Sequence, residues 1–286
     1  MNNICFLNPP AFSRWTSKTA LSFVALASVA GTQVNAQAFT LAPTRLIFEG
    51  SSRSQELTIV NGTDRVQTYR IRMEDRKVIE TGEFEVVTDP ATPFVASGML
   101  RLSARQFTVQ PQESATVRVL LRKPATLAAG EYRSHLIVTE LPSLGEPTID
   151  ATAGDGIAIR ITPIFAISIP IMVRSGEVSS RLSVSDVVRR PVEADPKLDT
   201  ISLRMTTVGN RSMFVDLRIV GVRQRRGEPI FLNKGVAVYS PVNSRLLTLS
   251  LNAEQTARVR AGGVVMQYQE VNKDGAFIGP VVEVPF

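Results

Sequence analysis

The sequence predicts an all-β protein built as two β-sandwiches, and three observations carry that expectation. Most of the chain beyond Ala36 alternates apolar and polar residues with period two, as in Glu56-Leu-Thr-Ile-Val60, Thr116-Val-Arg-Val-Leu120, Ile201-Ser-Leu-Arg-Met205 and Val236-Ala-Val-Tyr239. That period puts one face of a strand in a core and the other in water. Turn residues punctuate the runs: Asn61-Gly62, Asp89-Pro90, Gln110-Pro111, Gly209-Asn210 and Lys273-Asp274-Gly275. Short strands with such spacing are the mark of sandwiches. Finally, no repeat of solenoid period is present, and a helical turn is hinted at only over Thr126–Ala129, before Gly130.

The elements follow in order. Residues 1–36 carry Arg14 and Lys18 but no acid, then the apolar stretch Leu21–Ala30, then the small-x-small site Val34-Asn35-Ala36. This reads as a secretory signal cleaved after Ala36. Its apolar stretch is too short for the roughly 30 Å of a bilayer core, which argues against a retained anchor. The remaining 250 residues lack Cys and Trp, because Cys5 and Trp15 lie in the signal, and hold 30 basic against 26 acidic residues. An exported chain without disulfides relies on its core, and this length suffices. A net charge of +4 is ordinary solubility rather than a nucleic-acid footprint.

The polar stretch Arg174-Ser-Gly-Glu-Val-Ser-Ser180 separates a first sandwich, residues 37–174, from a second, residues 175–286. Within the first, Pro142–Gly156 is rich in Gly, Pro, Asp and Ala and is expected to be a long loop. From Ile157 to Val173 every odd position is apolar, Pro163 included. Seventeen residues at about 3.3 Å each would extend roughly 56 Å, beyond a usual strand. Two readings fit: a core strand that bends at a proline into another core strand, or one long edge strand whose row faces a partner. Pro163 and Pro170 lack ladder donors and suit an edge, and an uncovered apolar edge invites aggregation.

Several stretches resemble one family in order and spacing. They are Phe39–Phe48 with Arg45, the turn Asn61-Gly-Thr-Asp-Arg65, Leu102–Ser114 followed by Val117-Arg-Val119, Gly130–Pro142, and the apolar row ending Ile171-Met-Val-Arg174. Together they resemble the periplasmic pilus-assembly chaperones of the chaperone–usher pathway, over most of the first sandwich and more weakly in the second. The resemblance implies two immunoglobulin-like β-sandwich domains in an L or boomerang arrangement. It implies a non-enzymatic, cofactor-free chaperone that folds and caps pilus or fimbrial subunits by donor-strand complementation and delivers them to an outer-membrane usher.

In that reading the strand 157–173 is lent to the subunit, with Ile157, Ile159, Ile161 and Phe165 filling its pockets; strand addition of this kind couples main-chain bonds to alternate side-chain pockets. Arg45 matches the family's cleft arginine, which holds the subunit's C-terminal carboxylate, a geometry a guanidinium suits. The family's cleft lysine falls on Pro170 and is absent, which makes Arg160 the first replacement. Glu131 and Arg174 match two members of the interdomain ion-pair network. An unloaded molecule is expected to be able to hide its edge strand in a self-capping dimer.

Other motifs carry less. A single His and a single Cys exclude the common His/Cys metal sites and a Cys–His nucleophile. His135, inside a strand pattern, reads as structural. Asn61-Gly-Thr63 and Asn210-Arg-Ser212 fit glycan acceptors, but turn chemistry explains both. Arg223–Pro229 reads as a hairpin tip. A structural pilus subunit or adhesin is the alternative function; it should carry an N-terminal donor extension, whereas strand signals here begin at Phe39. A periplasmic carbohydrate-active enzyme has no site to support it.

Overall fold

Period-two alternation becomes two separate hydrophobic cores. The computed structural model describes residues 39–89, 92–142, 149–153, 157–161, 164–224, 227–271 and 282–283. For 149–153, 157–161 and 282–283 only the backbone is described. Residues 1–36, read in the sequence as a secretory signal, together with Pro163, Arg225-Arg226 and Lys273-Asp274-Gly275, lie outside the described residues. No described helix is long and apolar enough to cross a membrane.

In chain order the strands are β1 Phe39–Ala42, β2 Leu46–Phe48, β3 Ser54–Asn61, β4 Gln67–Glu74, β5 Arg76–Val78 and β6 Phe84–Val86. Next come β7 Leu100–Leu102, β8 Gln106–Val109, β9 Ser114–Leu121, β10 Gly130–Leu141, β11 Ile149–Ala153, β12 Ile157–Ile161 and β13 Ala166–Ser175. The second half holds β14 Ser180–Val192, β15 Asp195–Gly209, β16 Met213–Gly221, β17 Phe231–Val238, β18 Ser244–Ser250, helix α1 Ala253–Arg260, β19 Val264–Glu270 and β20 Val282–Glu283.

The first sandwich packs sheet β1-β3-β9-β7 on sheet β2-β13-β10-β4-β8. Strand β9 shows why: Val117, Val119 and Leu121 point into the core while Arg118 and Leu120 face out. They meet Phe48, Leu57, Ile59, Ile71, Leu136 and Val138. The second sandwich packs β14-β15-β18 on β17-β16-β19-β20, its core drawn from the alternating Ile201, Leu203 and Met205 and from Val215, Leu217 and Ile219. Two hairpins, β5–β6 and β11–β12, stand apart from these sheets. The result is an all-β chain of two immunoglobulin-like sandwiches.

Between the cores, β13 ends at Ser175 and β14 begins at Ser180. Gly209 stands opposite this connection at φ +138°, where a Cβ would lie 2.0 Å from the Ser179 carbonyl oxygen. Only glycine fits there.

Two expectations about elements need correction. The row 157–173 is not one continuous edge strand. Residues 157–161 pair with 149–153, and β13 starts anew at Ala166; Pro163, which has no N–H to give a ladder, falls in the interval. Nor is β13 an edge throughout, because Ile171–Val173 pair in parallel with Leu46–Phe48. The helical hint at Thr126–Ala129 is a turn. The described α-helix is instead α1, started by a capping box in which Asn252 accepts from the Gln255 amide and Gln255 accepts from the Asn252 amide.

Candidate functional site

The odd-numbered row divides at Phe165. Ile169, Ile171 and Val173 are buried in the first core and Ile167 packs against it. Hence the C-terminal half serves its own domain. Ile164 and Phe165, by contrast, are 60% and 47% exposed. Past Phe165, residues Ala166–Pro170 pair with β10 on one side, through Thr139–His135. On their other side no strand pairs with them among the described residues, since β2 begins its ladder at Ile171. A row of free main-chain groups therefore leads away from two exposed apolar side chains. Of Ile157, Ile159, Arg160 and Ile161 the backbone lies in β12, antiparallel to β11 with Ile159 opposite Ala151; their side chains lie outside the described residues.

Strand β10 joins this edge to a second feature. Its burial does not alternate: Leu136 and Val138 face the first core, yet Glu131, Arg133, His135 and Ile137 are also buried. The outer face is covered by the second sandwich and by hairpin β5–β6. Glu131 accepts from the Ser212 amide at 3.2 Å and from Arg174 Nε at 3.2 Å, while Arg174 Nη1 reaches Glu49 at 2.6 Å. Thus Glu131 and Arg174 form an ion pair within the first sandwich, and the carboxylate also takes a main-chain bond from the second.

Two residues along β10 on the same face, Arg133 is 5% exposed and lies 4.2 Å over the Tyr239 ring. Its guanidinium donates long bonds, both 3.4 Å, to the carbonyl oxygens of Ser240 and Arg76. Its Nε has no partner, and neither does that of Arg245. Arg45 lies 4.5 Å over the Phe214 ring, which meets Tyr239 edge-on at 5.7 Å. Three guanidinium groups therefore surround Tyr239, and none has a carboxylate within ion-pair distance among the described residues.

The electrostatics follow from burial. Burial holds the pKa values of Arg133 and Arg245 below the usual arginine range, with the Glu131 charge opposing it at Arg133, and it raises that of Tyr239 against the pull of Arg133, Arg245 and Arg45. His135 sits edge-on to Phe84 at 4.8 Å. Burial, helped by the Arg133 and Arg76 charges, pushes its imidazole down to about 3. The lone histidine is neutral at physiological pH. No group of three or more His, Cys, Asp or Glu could hold a metal among the described residues.

Arg45 was singled out in the sequence; Arg133, Arg245 and Tyr239 were not. Glu131, Arg133 and His135 are three polar residues on one face of a strand whose other face is apolar, the ordinary pattern of an antiparallel strand with a solvated face, so the sequence held no signal for Arg133. The other two needed the second sandwich to be placed.

The fold and site define a two-sandwich β protein with an open strand edge beside a basic interface. No family model matches the sequence, and the search of curated proteins finds no match. Solved structures do resemble it. The YadV chaperone is 12% identical, with 86% of this chain and 100% of that chain covered and a TM-score of 0.47. A chain of the CsuC–CsuE chaperone–tip adhesion subunit pre-assembly complex, from archaic chaperone-usher Csu pili of Acinetobacter baumannii, is 11% identical, with 86% and 98% covered and a TM-score of 0.47. The E. coli chaperone DraB is 14% identical, with 86% and 93% covered and a TM-score of 0.43.

Proposed function

We propose that this chain is a periplasmic, non-enzymatic chaperone that caps pilus-type subunits by lending them a strand and passes them to an outer-membrane usher. The observation that carries the reading is the edge Ala166–Pro170, which has no second strand partner among the described residues, entered through exposed Ile164 and Phe165. An edge with free N–H and C=O groups pairs with an extended segment of another chain, and alternate side chains supply pockets.

In the proposed mechanism a subunit lacking one strand takes up the apolar row. Ile157, Ile159, Ile161 and Phe165 fill its groove while the edge supplies main-chain bonds. The subunit's terminal carboxylate goes to Arg45 with Arg160. Glu131 and Arg174 hold the interface between the sandwiches. Binding needs no nucleotide, because the lent strand replaces the missing one and is later exchanged for another subunit's extension.

The test is co-expression of the cognate subunit with Ile159→Asp/Ile161→Asp and a pull-down. The double variant should lose at least ten-fold in recovered subunit while its circular dichroism and melting stay those of the parent. Unchanged recovery would sink the strand-lending reading.

A further inference from the structure

We propose that hairpin β5–β6 is a brace that sets the angle between the two sandwiches, gripping the second one through Glu80 and Phe84. The chaperone reading gives the brace a use, but the brace itself needs nothing from that reading.

Both sandwiches belong to one compact unit, Gln37–Phe286. They are joined at a corner, where β13 ends at Ser175 and β14 begins at Ser180. A short connection of this kind permits relative motion unless contacts away from it oppose the motion. Near the corner the contacts are direct. Strand β10 starts at Gly130, opposite Ser175. Its Glu131 accepts from the Ser212 amide, and its Arg133 donates to the Ser240 carbonyl and lies over the Tyr239 ring. Two residues further, His135 meets Phe84 of the hairpin edge-on at 4.8 Å, and Phe84 in turn meets Tyr239 edge-on at 5.7 Å. Here the bridge to the second sandwich runs through the hairpin.

The hairpin is fastened at both ends. Its two strands form a sheet of their own, outside both sandwiches. At the root, Arg76 pairs with Val86, and the Val87 amide donates to the Asp75 carbonyl at 2.9 Å. The Asp75 carboxylate accepts from Ser97 at 2.6 Å and from Ser134, a buried residue of β10. At the other end, Val78 pairs with Phe84 beside the turn. The turn itself reaches the second sandwich. The Glu80 carbonyl accepts from the Leu246 amide at 2.7 Å, and Glu80 Oε1 accepts from Ser244 Oγ at 2.5 Å and from Arg204. A Cβ on Gly82 would lie 3.0 Å from the Arg245 guanidinium, which is held to the Ala237 carbonyl at 2.7 Å.

Distance from the corner gives these contacts their effect. Arg204 stands five residues before Gly209, the partner of Ser180, and His135 stands five residues after Gly130. At about 3.3 Å per residue, the hairpin joins the sandwiches roughly 17 Å out along each of them. Rotation about the corner displaces each contact in proportion to that distance, so Glu80 and Phe84 oppose it more than Glu131 does. The Glu80–Arg204 pair, 41% and 34% exposed, contributes little alone. The main-chain bond to Leu246 and the Phe84–Tyr239 contact act at the same place. For a chain that grips a partner between its strand edge and its second sandwich, an angle set beforehand lowers the ordering cost of binding.

The experiment takes residues 37–286 in 15N-labelled, partly aligned form and fits the amide residual dipolar couplings of the two sandwiches separately. The parent should give one alignment tensor for both. Glu80→Ala/Phe84→Ala should give two tensors of different magnitude while keeping the parent's circular dichroism spectrum, because the hairpin lies outside both sheets. Glu80→Ala alone should give a smaller split, and it carries the test where Phe84→Ala unsettles the hairpin. Lys77→Ala, which breaks the Lys77–Glu85 pair within the hairpin, should keep the single tensor. A single tensor in both Glu80→Ala and the double variant overturns the brace, and so does an equal split in Lys77→Ala. The pull-down above reads the strand edge and these couplings read the corner, so the two readings fail separately.

Discussion

Two buried charges among the described residues, Asp199 and Arg133, are treated oppositely. In the second sandwich Asp199, fully buried, accepts from Arg189 Nη1 at 2.8 Å and from Arg260 Nε and Nη2 at 3.0 and 2.7 Å. Those two arginines, Arg260 first, hold its carboxyl below the usual range. At the interface between the sandwiches Arg133 is buried and Arg45 and Arg245 are half-buried, and none of them forms an ion pair among the described residues, although the Glu131 charge acts on Arg133. The first cluster is closed: one acid lies between two bases, tying strands β14 and β15 to the end of α1. The second is open, and its cations are packed only on aromatic rings and carbonyl groups. A closed cluster stabilises its domain. An open one costs stability, because the desolvation of its cation is not repaid by a close partner.

The largest expected effect breaks the closed cluster. Asp199→Asn takes the carboxylate from between two partly exposed arginines and should cost about 2 kcal/mol in urea unfolding, the range of a lost hydrogen bond to a charged group. The open cluster should respond with the opposite sign. Arg133→Met removes a buried cation that makes no ion pair among the described residues while keeping most of the volume, and should raise stability by about 1 kcal/mol in the same assay. Should both substitutions destabilise alike, the distinction between the clusters falls.

The third effect is a slope. The His135 imidazole titrates at about 3 in the native state, against about 6.5 unfolded. Between those values the unfolded chain binds one more proton, so stability rises with pH and falls as pH drops below about 6.5. The slope is about 1.4 kcal/mol per pH unit. Asp199 and Glu74, whose pKa values are lowered, act below about pH 4, where protonation removes the stability they contribute. A series from pH 4.5 to 6.5 isolates the histidine, and His135→Gln should flatten it. A slope that survives the substitution would point to other groups.

Much of the fold could be read without coordinates because alternation is a local signal. Val117, Val119 and Leu121 announce their buried face, as do Ile201, Leu203 and Met205. Asn61 likewise reads as a turn residue: its side chain donates to the Arg65, Val109 and Gln110 carbonyls and accepts from the Thr63 amide. Helix α1 was missed because an eight-residue helix has too few turns for its period to show, although Asn252 and Gln255 carried its cap. The row from Ile157 to Val173 was legible as a row. Its division at Phe165 was not, because a period of two is the same on a core strand and on a strand that waits for a partner.

The sequence by itself determined that this chain is all-β, that it has two cores, and which positions of its strands face them. Those properties follow from the spacing of apolar residues along a pleated backbone, which neighbours in the chain settle among themselves. Only the tertiary structure decided which outward faces are wet. The outer face of β10 holds Glu131, Arg133 and His135, residue types that mostly stay exposed. They are buried because the second sandwich brings Ser212 and Tyr239 to them and hairpin β5–β6 brings Phe84. Whether a charge is compensated depends on groups a hundred residues away, and no local pattern encodes that distance.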